Sequence, residues 1–286
     1  MKTKSLLKVI VRIVEIQQRC DSLLCLFRSR TLPLFSCCML LFSSYSQSQD
    51  TTVFETLYPS DIRLTGSAGY LAVVDEHISD EKYDGSVSGF TLEWSHSHET
   101  YGYRVGLWYQ EASHIKNFNI SADLTQGGLY LDNLYPVGTL NLFNRKTLII
   151  LGPMAEMFIN YRQQNIAQNP NNGLDIYQSS TWLFSLGARG EATIALSSAL
   201  ELEGTLQLSV LSLGGGAGNS SNSVTGLKLE TPSGAVHGVT ELGVRYNLLD
   251  FILVRAGYLF DILRINSWNY VLQSSDNVFL SVQCQF

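Results

Sequence analysis

Residues 200–210, Leu-Glu-Leu-Glu-Gly-Thr-Leu-Gln-Leu-Ser-Val, alternate apolar and polar side chains with a period of two. The even positions carry Leu, Gly or Val, and the odd positions carry Glu, Thr, Gln or Ser. Because successive side chains of a β-strand point to opposite faces, this period predicts a strand with one apolar face and one polar face. An amphipathic helix would repeat its apolar residues with a period of about 3.6, which this strict alternation does not follow.

The same alternation recurs along the chain from residue 61 to the C-terminus, and no segment after residue 46 shows a helical period. It predicts ten strands, which lie at 61–74, 86–96, 100–112, 128–143, 147–161, 180–196, 199–213, 236–247, 251–264 and 276–286. Strand ends read from a pattern are uncertain by a few residues, so counts of eight or twelve stay open.

The connections between these strands alternate in length. The short ones are at 97–99, 144–146, 197–198 and 248–250, and the long ones are at 75–85, 113–127, 162–179, 214–235 and 265–275. Short turns at one end and long loops at the other, with an even strand number, are typical of bacterial outer-membrane barrels. A sheet in lipid must also close on itself, because nothing in the hydrocarbon can bond an unpaired edge. We therefore predict an all-β protein, a closed antiparallel transmembrane barrel of about ten strands with periplasmic turns and outer loops.

Composition supports a surface that does not face water. Hydrophobic residues make up 45% of the 286 residues and charged residues only 15%, against roughly 25% in ordinary soluble domains. The net charge of −6 provides no basic surface for nucleic acid, so we expect no nucleic-acid partner. This hydrophobic content also excludes an intrinsically disordered chain.

The N-terminus has the pattern of a secretory signal peptide. Arg28 and Arg30 precede a short apolar run at 31–42, and small polar residues follow it. We predict a signal peptide at 1–46, a short periplasmic segment at 47–60 and the barrel at 61–286. A lipoprotein cleavage site ending at Cys37 is the less favoured alternative. Export would leave Cys284 as the one cysteine, which excludes an intramolecular disulfide.

The last strand carries the most specific pattern. Val278, Leu280 and Val282 alternate towards a terminal Phe286, although Cys284 stands where an aromatic residue would be more usual. This resembles the C-terminal signal of bacterial outer-membrane β-barrel proteins. The resemblance implies an integral protein of the Gram-negative outer membrane, which the barrel assembly machinery recognises and which contacts lipids and lipopolysaccharide. A soluble β-sandwich ending in Phe is the alternative.

With the apolar faces turned to lipid, twelve charged residues point into the barrel. They are Arg63, Glu93, Arg104, Glu156, Arg189, Glu191, Glu201, Glu203, Glu241, Arg245, Arg255 and Asp261. Glu156 is the least secure, because the alternation in 128–161 is irregular. Eight strands are just filled by their own side chains, whereas 16–18 leave an aqueous channel. We therefore predict a lumen plugged by Arg–carboxylate pairs. The protein is then expected to be non-enzymatic and monomeric, with a structural or surface-binding role. A narrow channel for small solutes is the alternative.

A second alternative is a rim enzyme built on His237 and Asp261. If strands 236–247 and 251–264 pair around 248–250, His237 lies opposite Asp261, facing inward near the long-loop rim. This pair resembles the His–Asp dyad of the omptins, ten-stranded outer-membrane proteases, and the resemblance implies a protease or a lipid hydrolase. The chain lacks the Asp-x-His motif of that family. Ser209 and Ser281 also lack the Gly-x-Ser-x-Gly context of a hydrolase nucleophile.

Metal and cofactor sites are not expected. His96-Ser97-His98-Glu99 lies in a predicted tight turn, and zinc would require three or four ligands of suitable geometry. Residues 75–84 hold five carboxylates, but their spacing is not that of an EF-hand. Both segments are interpreted as solvated polar connections.

Overall fold

A computed structural model describes residues 60–75, 79–98, 100–117, 120–142, 145–166, 177–218, 225–266 and 270–286. The predicted signal peptide at 1–46 and most of the segment at 47–60 lie outside these ranges. Within them, no helix has the length and hydropathy to cross a membrane.

The described residues form eleven strands in one antiparallel sheet. These are β1 (Ser60–Asp75), β2 (Ser79–Ser97), β3 (Gly102–Asn117), β4 (Ile120–Leu142), β5 (Arg145–Ile166), β6 (Tyr177–Ala195), β7 (Leu200–Gly218), β8 (Thr225–Glu230), β9 (Ala235–Leu249), β10 (Ile252–Ile265) and β11 (Val271–Gln285). The six-residue β8 pairs with β7 alone. The other ten make the barrel, which confirms the predicted fold class and strand number.

Closure occurs between the first and last strands. β1 pairs with β11 from Asp61↔Gln285 to Asp75↔Val271, and backbone hydrogen bonds join Ser60 and Phe286 in both directions, at 3.2 and 2.8 Å. Pairing of the first strand with the last closes the sheet, which is what a sheet in lipid requires.

The outer face of the barrel is apolar. Leu64, Leu206 and Leu280 are 56%, 59% and 59% exposed. Soluble monomeric proteins rarely expose large contiguous apolar surfaces of this kind. Exposed aromatic side chains such as Trp94 and Tyr246 fit the girdles that mark membrane interfaces. An outward face of this kind is stable only against lipid, so the strands span a membrane.

Two of the five predicted long loops are wrong. Only residues 76–78 separate β1 from β2, and only 118–119 separate β3 from β4, so most of 75–85 and 113–127 is strand. The physical reason is a cluster of apolar side chains inside the barrel at this end. Burial of this cluster stabilises longer strands, although the segment 75–84 is rich in acidic residues. The cluster consists of Leu71, Val73, Tyr83, Val87, Ala112, Ile115, Ala122 and Leu124.

Candidate functional site: the interior of the barrel

The two ends of the barrel carry different connections. The turn end carries the four short connections β2–β3, β4–β5, β6–β7 and β9–β10, together with Ser60 and Phe286. The loop end carries the other connections. Inward residues alternate along every strand, so each level of the lumen is lined by side chains from many strands at once.

Charged residues fill the turn-end half of the lumen, and we call this set the charged network. One part surrounds Arg104, whose guanidinium lies 3.6 Å from the Glu93 carboxylate and 2.7 Å from the Glu191 carboxylate. Arg63 also pairs with Glu93, and Arg189 lies 2.9 Å from Glu191. Each carboxylate thus pairs with two arginines, and the Arg104–Glu191 pair joins β3 to β6, which are not neighbours in the sheet.

The other part of the charged network surrounds Glu203. Arg245 lies 2.8 Å from this carboxylate and also pairs with Glu201, and Arg255 bridges Glu203 to Glu241, the latter at 3.4 Å. Together the two parts take up ten of the twelve charged residues that the sequence places inside the barrel; the other two, Glu156 and Asp261, contact His237.

Aromatic rings support two of the arginines. The guanidinium of Arg189 lies 5.7 Å from the ring centre of Tyr130, and that of Arg255 lies 5.2 Å from the ring centre of Phe279, both within cation–π range. Gly106 makes room for Tyr130, because a Cβ at Gly106 would stand 2.2 Å from the ring.

His237 forms a bridge across the middle of the lumen. Its Nδ1 lies 2.7 Å from Glu156 Oε2 on β5, and its Nε2 lies 3.0 Å from Asp261 Oδ1 on β10. The side chain is 2% exposed and contacts the rings of Phe158 and Trp108. Glu156, the residue whose inward position was least secure in the sequence, is therefore the link from His237 to the opposite wall.

The predicted register around His237 is wrong by two residues. Its direct partner across the sheet is Leu263, and Asp261 pairs with Val239. A register shift between Ile252 and Leu253, next to the turn, moves the pairing. Since a shift of two preserves which face each side chain occupies, His237 still reaches Asp261, now on the diagonal. The pair is also buried inside the lumen rather than placed at an open rim.

The contacts of this cluster limit the chemistry it can perform. Both ring nitrogens of His237 are engaged by carboxylates, so neither is left to activate a hydroxyl. Ser209 Oγ accepts a hydrogen bond from the backbone N–H of His237 at 2.7 Å, and Ser281 Oγ is bonded by Thr65 at 2.9 Å. Both hydroxyls are thus bonded to groups other than the imidazole, and both serines are buried.

A small cavity of about 70 Å³ lies between His237 and the charged network. Its wall includes Glu93, Glu241 and Asp261 together with Arg189 and Arg255. This volume and polarity suit a few water molecules and no larger ligand.

Above His237, towards the loop end, four buried amide side chains bond one another across the lumen. Gln126 donates to Gln110 at 2.7 Å, Asn160 donates to Gln126 at 3.0 Å and to Gln273 at 2.9 Å, and Gln273 donates to Gln126 at 2.7 Å. These four residues come from β3, β4, β5 and β11, and we call them the amide belt.

Apolar side chains close the lumen around the amide belt and towards the loop end. They include the cluster around Leu71 and Ile115 and a second cluster, and both are almost fully buried. The second consists of Phe158, Leu183, Ala235, Leu263, Ile265 and Val271. Arg162 pairs with Asp75 within this region, where Asp75 also accepts a hydrogen bond from Ser179 at 2.8 Å. We call the two clusters and this ion pair the loop-end seal.

Several of these interior residues were missed by the sequence analysis. Asp132, 3.2 Å from Arg189, escaped because a bulge between Pro136 and Gly138 interrupts the alternation in β4. The flanking Leu129 and Leu131 do face outward, and this local alternation was the available signal. Arg162 and Asp75 were assigned to loops, so their positions could not be read as inward.

The strand that carries the predicted assembly signal lies in the wall. Val278, Leu280, Val282 and Phe286 all face outward and are exposed, while Cys284 is an exposed free cysteine. Recognition of this strand by the assembly machinery stays a prediction. No group of three or more His, Cys, Asp and Glu in the described ranges could hold a metal ion.

Comparison with solved structures finds similar chains at low sequence identity. The chain is similar to the outer membrane protease OmpT from Escherichia coli, with 10% identity over 84% of this chain and 100% of that one, at a TM-score of 0.46. It is similar to the translocator domain of the autotransporter NalP from Neisseria meningitidis, with 12% identity over 88% and 95%, also at 0.46. Neisserial surface protein A gives 12% identity over 79% and 97%, at 0.35. The sequence matches no family model and no curated protein.

Proposed function

We propose that this membrane-spanning barrel lies in a bacterial outer membrane and works without catalysis, as a closed barrel with a structural or surface-binding role exercised through its loop end. The observation that supports this is the filled lumen: the charged network, the His237 bridge, the amide belt and the loop-end seal follow one another along the axis. A solute crossing the barrel would have to break ion pairs at one level and part packed apolar side chains at another.

The proposal includes the partners of such a barrel. Membrane lipids and lipopolysaccharide contact the apolar wall, the assembly machinery recognises the strand ending at Phe286, and the protein inserts as a monomer.

Liposome swelling tests whether the barrel is closed. Liposomes carrying the folded protein should swell in potassium chloride or arabinose no faster than protein-free liposomes, whereas an open barrel of 16–18 strands should swell rapidly. The folded state is checked by the different gel mobility of unheated and boiled protein. Swelling well above the protein-free rate would refute a closed lumen.

Complementation separates a structural role from a surface-binding role. Cells lacking the protein would be tested for detergent sensitivity and then supplied with the wild type or with a variant whose residues 167–176 are replaced by a Gly-Ser linker of equal length. Full rescue by the linker variant favours a structural role of the barrel. Failure of that variant, despite a normal gel shift, favours a role of the loop.

A narrow channel is the second candidate, and the cavity of about 70 Å³ within the charged network is what favours it. If this space belongs to a conducting path, Arg189→Ala and Arg255→Ala should each widen the path and increase swelling. Unchanged swelling in both variants would remove this candidate.

A rim enzyme is the third candidate, and the contacts of His237 with two carboxylates are what favour it. Geometry has to be satisfied before any proton transfer, and here both ring nitrogens are already engaged. The test is turnover of peptide and lipid substrates in micelles containing lipopolysaccharide. Turnover by the wild type that disappears in His237→Ala, with the gel shift retained, would establish the enzyme and overturn our preference.

A further inference from the structure

The β4–β5 hairpin continues beyond its neighbour β3 at the turn end. β3 begins at Gly102, which pairs with Leu134. From Tyr135 to Leu142, β4 pairs with β5 alone, ending at Leu142↔Arg145. No strand in the described part of the chain pairs with the opposite side of Tyr135–Leu142, and we call these eight residues the free edge.

An edge of this kind carries backbone N–H and C=O groups that point away from β5 with no strand to receive them. In lipid such groups would cost several kcal/mol each, so the free edge must stand on the periplasmic side, in water or against a partner. In water, unpaired edge groups are a template for another extended chain.

The side chains of the free edge are unusual for a strand that meets only water. Tyr135, Val137, Leu140 and Leu142 are all exposed, and residues 135–142 contain no charged residue. Natural sheets usually protect an open edge with Lys or other charges. Here the protective features are Pro136 and the register shift that follows it, and they leave Gly138–Leu142 without protection.

The other side of the hairpin is held firmly. Arg145 donates hydrogen bonds through Nη1 to the carbonyl oxygens of Ala195 and Leu196, at 3.0 and 2.7 Å, in the β6–β7 turn. Thr147 of β5 pairs with Ile194 of β6. The free edge is therefore preorganised, which lowers the entropic cost of adding a strand.

We propose that the free edge binds an extended polypeptide of another periplasmic protein, which adds to the sheet as an antiparallel strand. Main-chain hydrogen bonds provide the affinity in this mode, and pockets for alternate side chains provide the preference. Since the free edge has no charge and two exposed leucines, the matching segment is uncharged and carries apolar side chains at every second position.

Symmetry argues against a second copy of this chain as the occupant. Two copies inserted the same way into one membrane are related by an axis along the membrane normal. Such an axis would make the two β4 strands run parallel to each other, whereas every strand pair of this sheet is antiparallel. It would also turn the outer face of one sheet edge to the side of the inner face of the other. The two edges could then not continue one antiparallel sheet.

The test uses a synthetic probe, a peptide of alternating threonine and valine with a lysine at each end and a fluorophore. Fluorescence anisotropy measures its binding to the full-length folded protein in micelles. We expect saturable binding by the wild type, weakened about tenfold by Leu140→Ser with Leu142→Ser. Leu248→Ser with Leu249→Ser is the matched control, because Leu248 and Leu140 are both 57% exposed at the turn end; this control should bind as the wild type does.

Hydrogen exchange tests the backbone part of the proposal independently of the side chains. Bound probe should slow amide exchange in 135–142 and leave exchange in the 195–200 turn unchanged. Each of the following results would overturn the proposal: no binding by the wild type, equal weakening in the control pair, no slowing of exchange at the free edge, or a concentration-dependent dimer that competes with the probe. Tighter probe binding after truncation of the chain before residue 60 would also overturn it, since the occupant would then be this chain itself.

Discussion

The two halves of the lumen close the barrel by different physical means. The turn-end half uses a network of ion pairs, and its outermost pair remains partly wet, since the side chains of Arg245 and Glu201 are 27% and 23% exposed. The loop-end half uses packed apolar side chains and one ion pair, Arg162–Asp75, whose side chains are 2% and 3% exposed. Ion pairs near water can exchange partners with solvent at low cost, whereas a dry packed cluster cannot open without losing contacts. The loop-end seal should therefore be the more rigid barrier, and the charged network the more adaptable one.

The largest contrast should come from removing one arginine in each half. Arg162→Met removes the cation that pairs with buried Asp75, and breaking a buried pair in this way typically costs about 3–5 kcal/mol of unfolding free energy. Arg245→Met removes a partly exposed cation and should cost about 1 kcal/mol or less. Urea unfolding in lipid vesicles, followed by tryptophan fluorescence, measures both. Equal losses would mean that the two halves do not differ in the way we describe.

The next contrast concerns packing inside the lumen against packing on the outer wall. Leu263 is 0% exposed in the loop-end seal, and its replacement by Ala should leave a cavity and cost about 2–4 kcal/mol. Leu206→Ala removes an equal volume from a side chain that is 59% exposed towards lipid and should cost much less. The same unfolding measurement applies. A loss at Leu206 as large as that at Leu263 would show that the seal is not a packed core.

The smallest of the three effects is expected at the boundary between the halves. His237→Gln keeps a polar side chain but cannot bridge Glu156 and Asp261 in the same geometry, so we expect a loss of about 1–3 kcal/mol. Glu156→Gln keeps the shape of the side chain that bonds His237 from the opposite wall, and it is the control for that contact. It should lose no more unfolding free energy than His237→Gln does. Two variants as stable as the wild type would show that the His237 bridge contributes nothing to holding the walls together.

The sequence was sufficient for the barrel because one face of each strand must meet lipid. That constraint makes apolar and polar side chains alternate along the strands. Residues such as Leu206 and Gln207 could therefore be assigned to opposite faces from the sequence. The ten residues of the charged network were assigned to the lumen by the same alternation of apolar and polar side chains, which is regular around each of them.

What could not be predicted depends on contacts across the lumen. Asp75 and Arg162 lie 87 residues apart in the chain, and an acidic segment next to Asp75 has the composition of a loop. Only the apolar cluster beneath it explains why the strands extend there. The partner of Arg189 at Asp132 was hidden for a related reason, because a bulge changes the parity of β4, and a bulge has no reliable sequence signal beyond Pro136 and Gly138.

The measurement that tests the two-barrier account most directly is planar-bilayer conductance of four proteins: the wild type, Arg189→Ala with Arg255→Ala, Leu263→Ser with Val271→Ser, and all four substitutions combined. Barriers in series require that opening either one leaves the other closed. We therefore expect no steady single-channel steps from the wild type or from either pair, and steps only from the combined variant, each protein having first shown the gel shift of a folded barrel. Large, steady steps in the wild type, or in the Arg189→Ala with Arg255→Ala pair alone, would contradict the account.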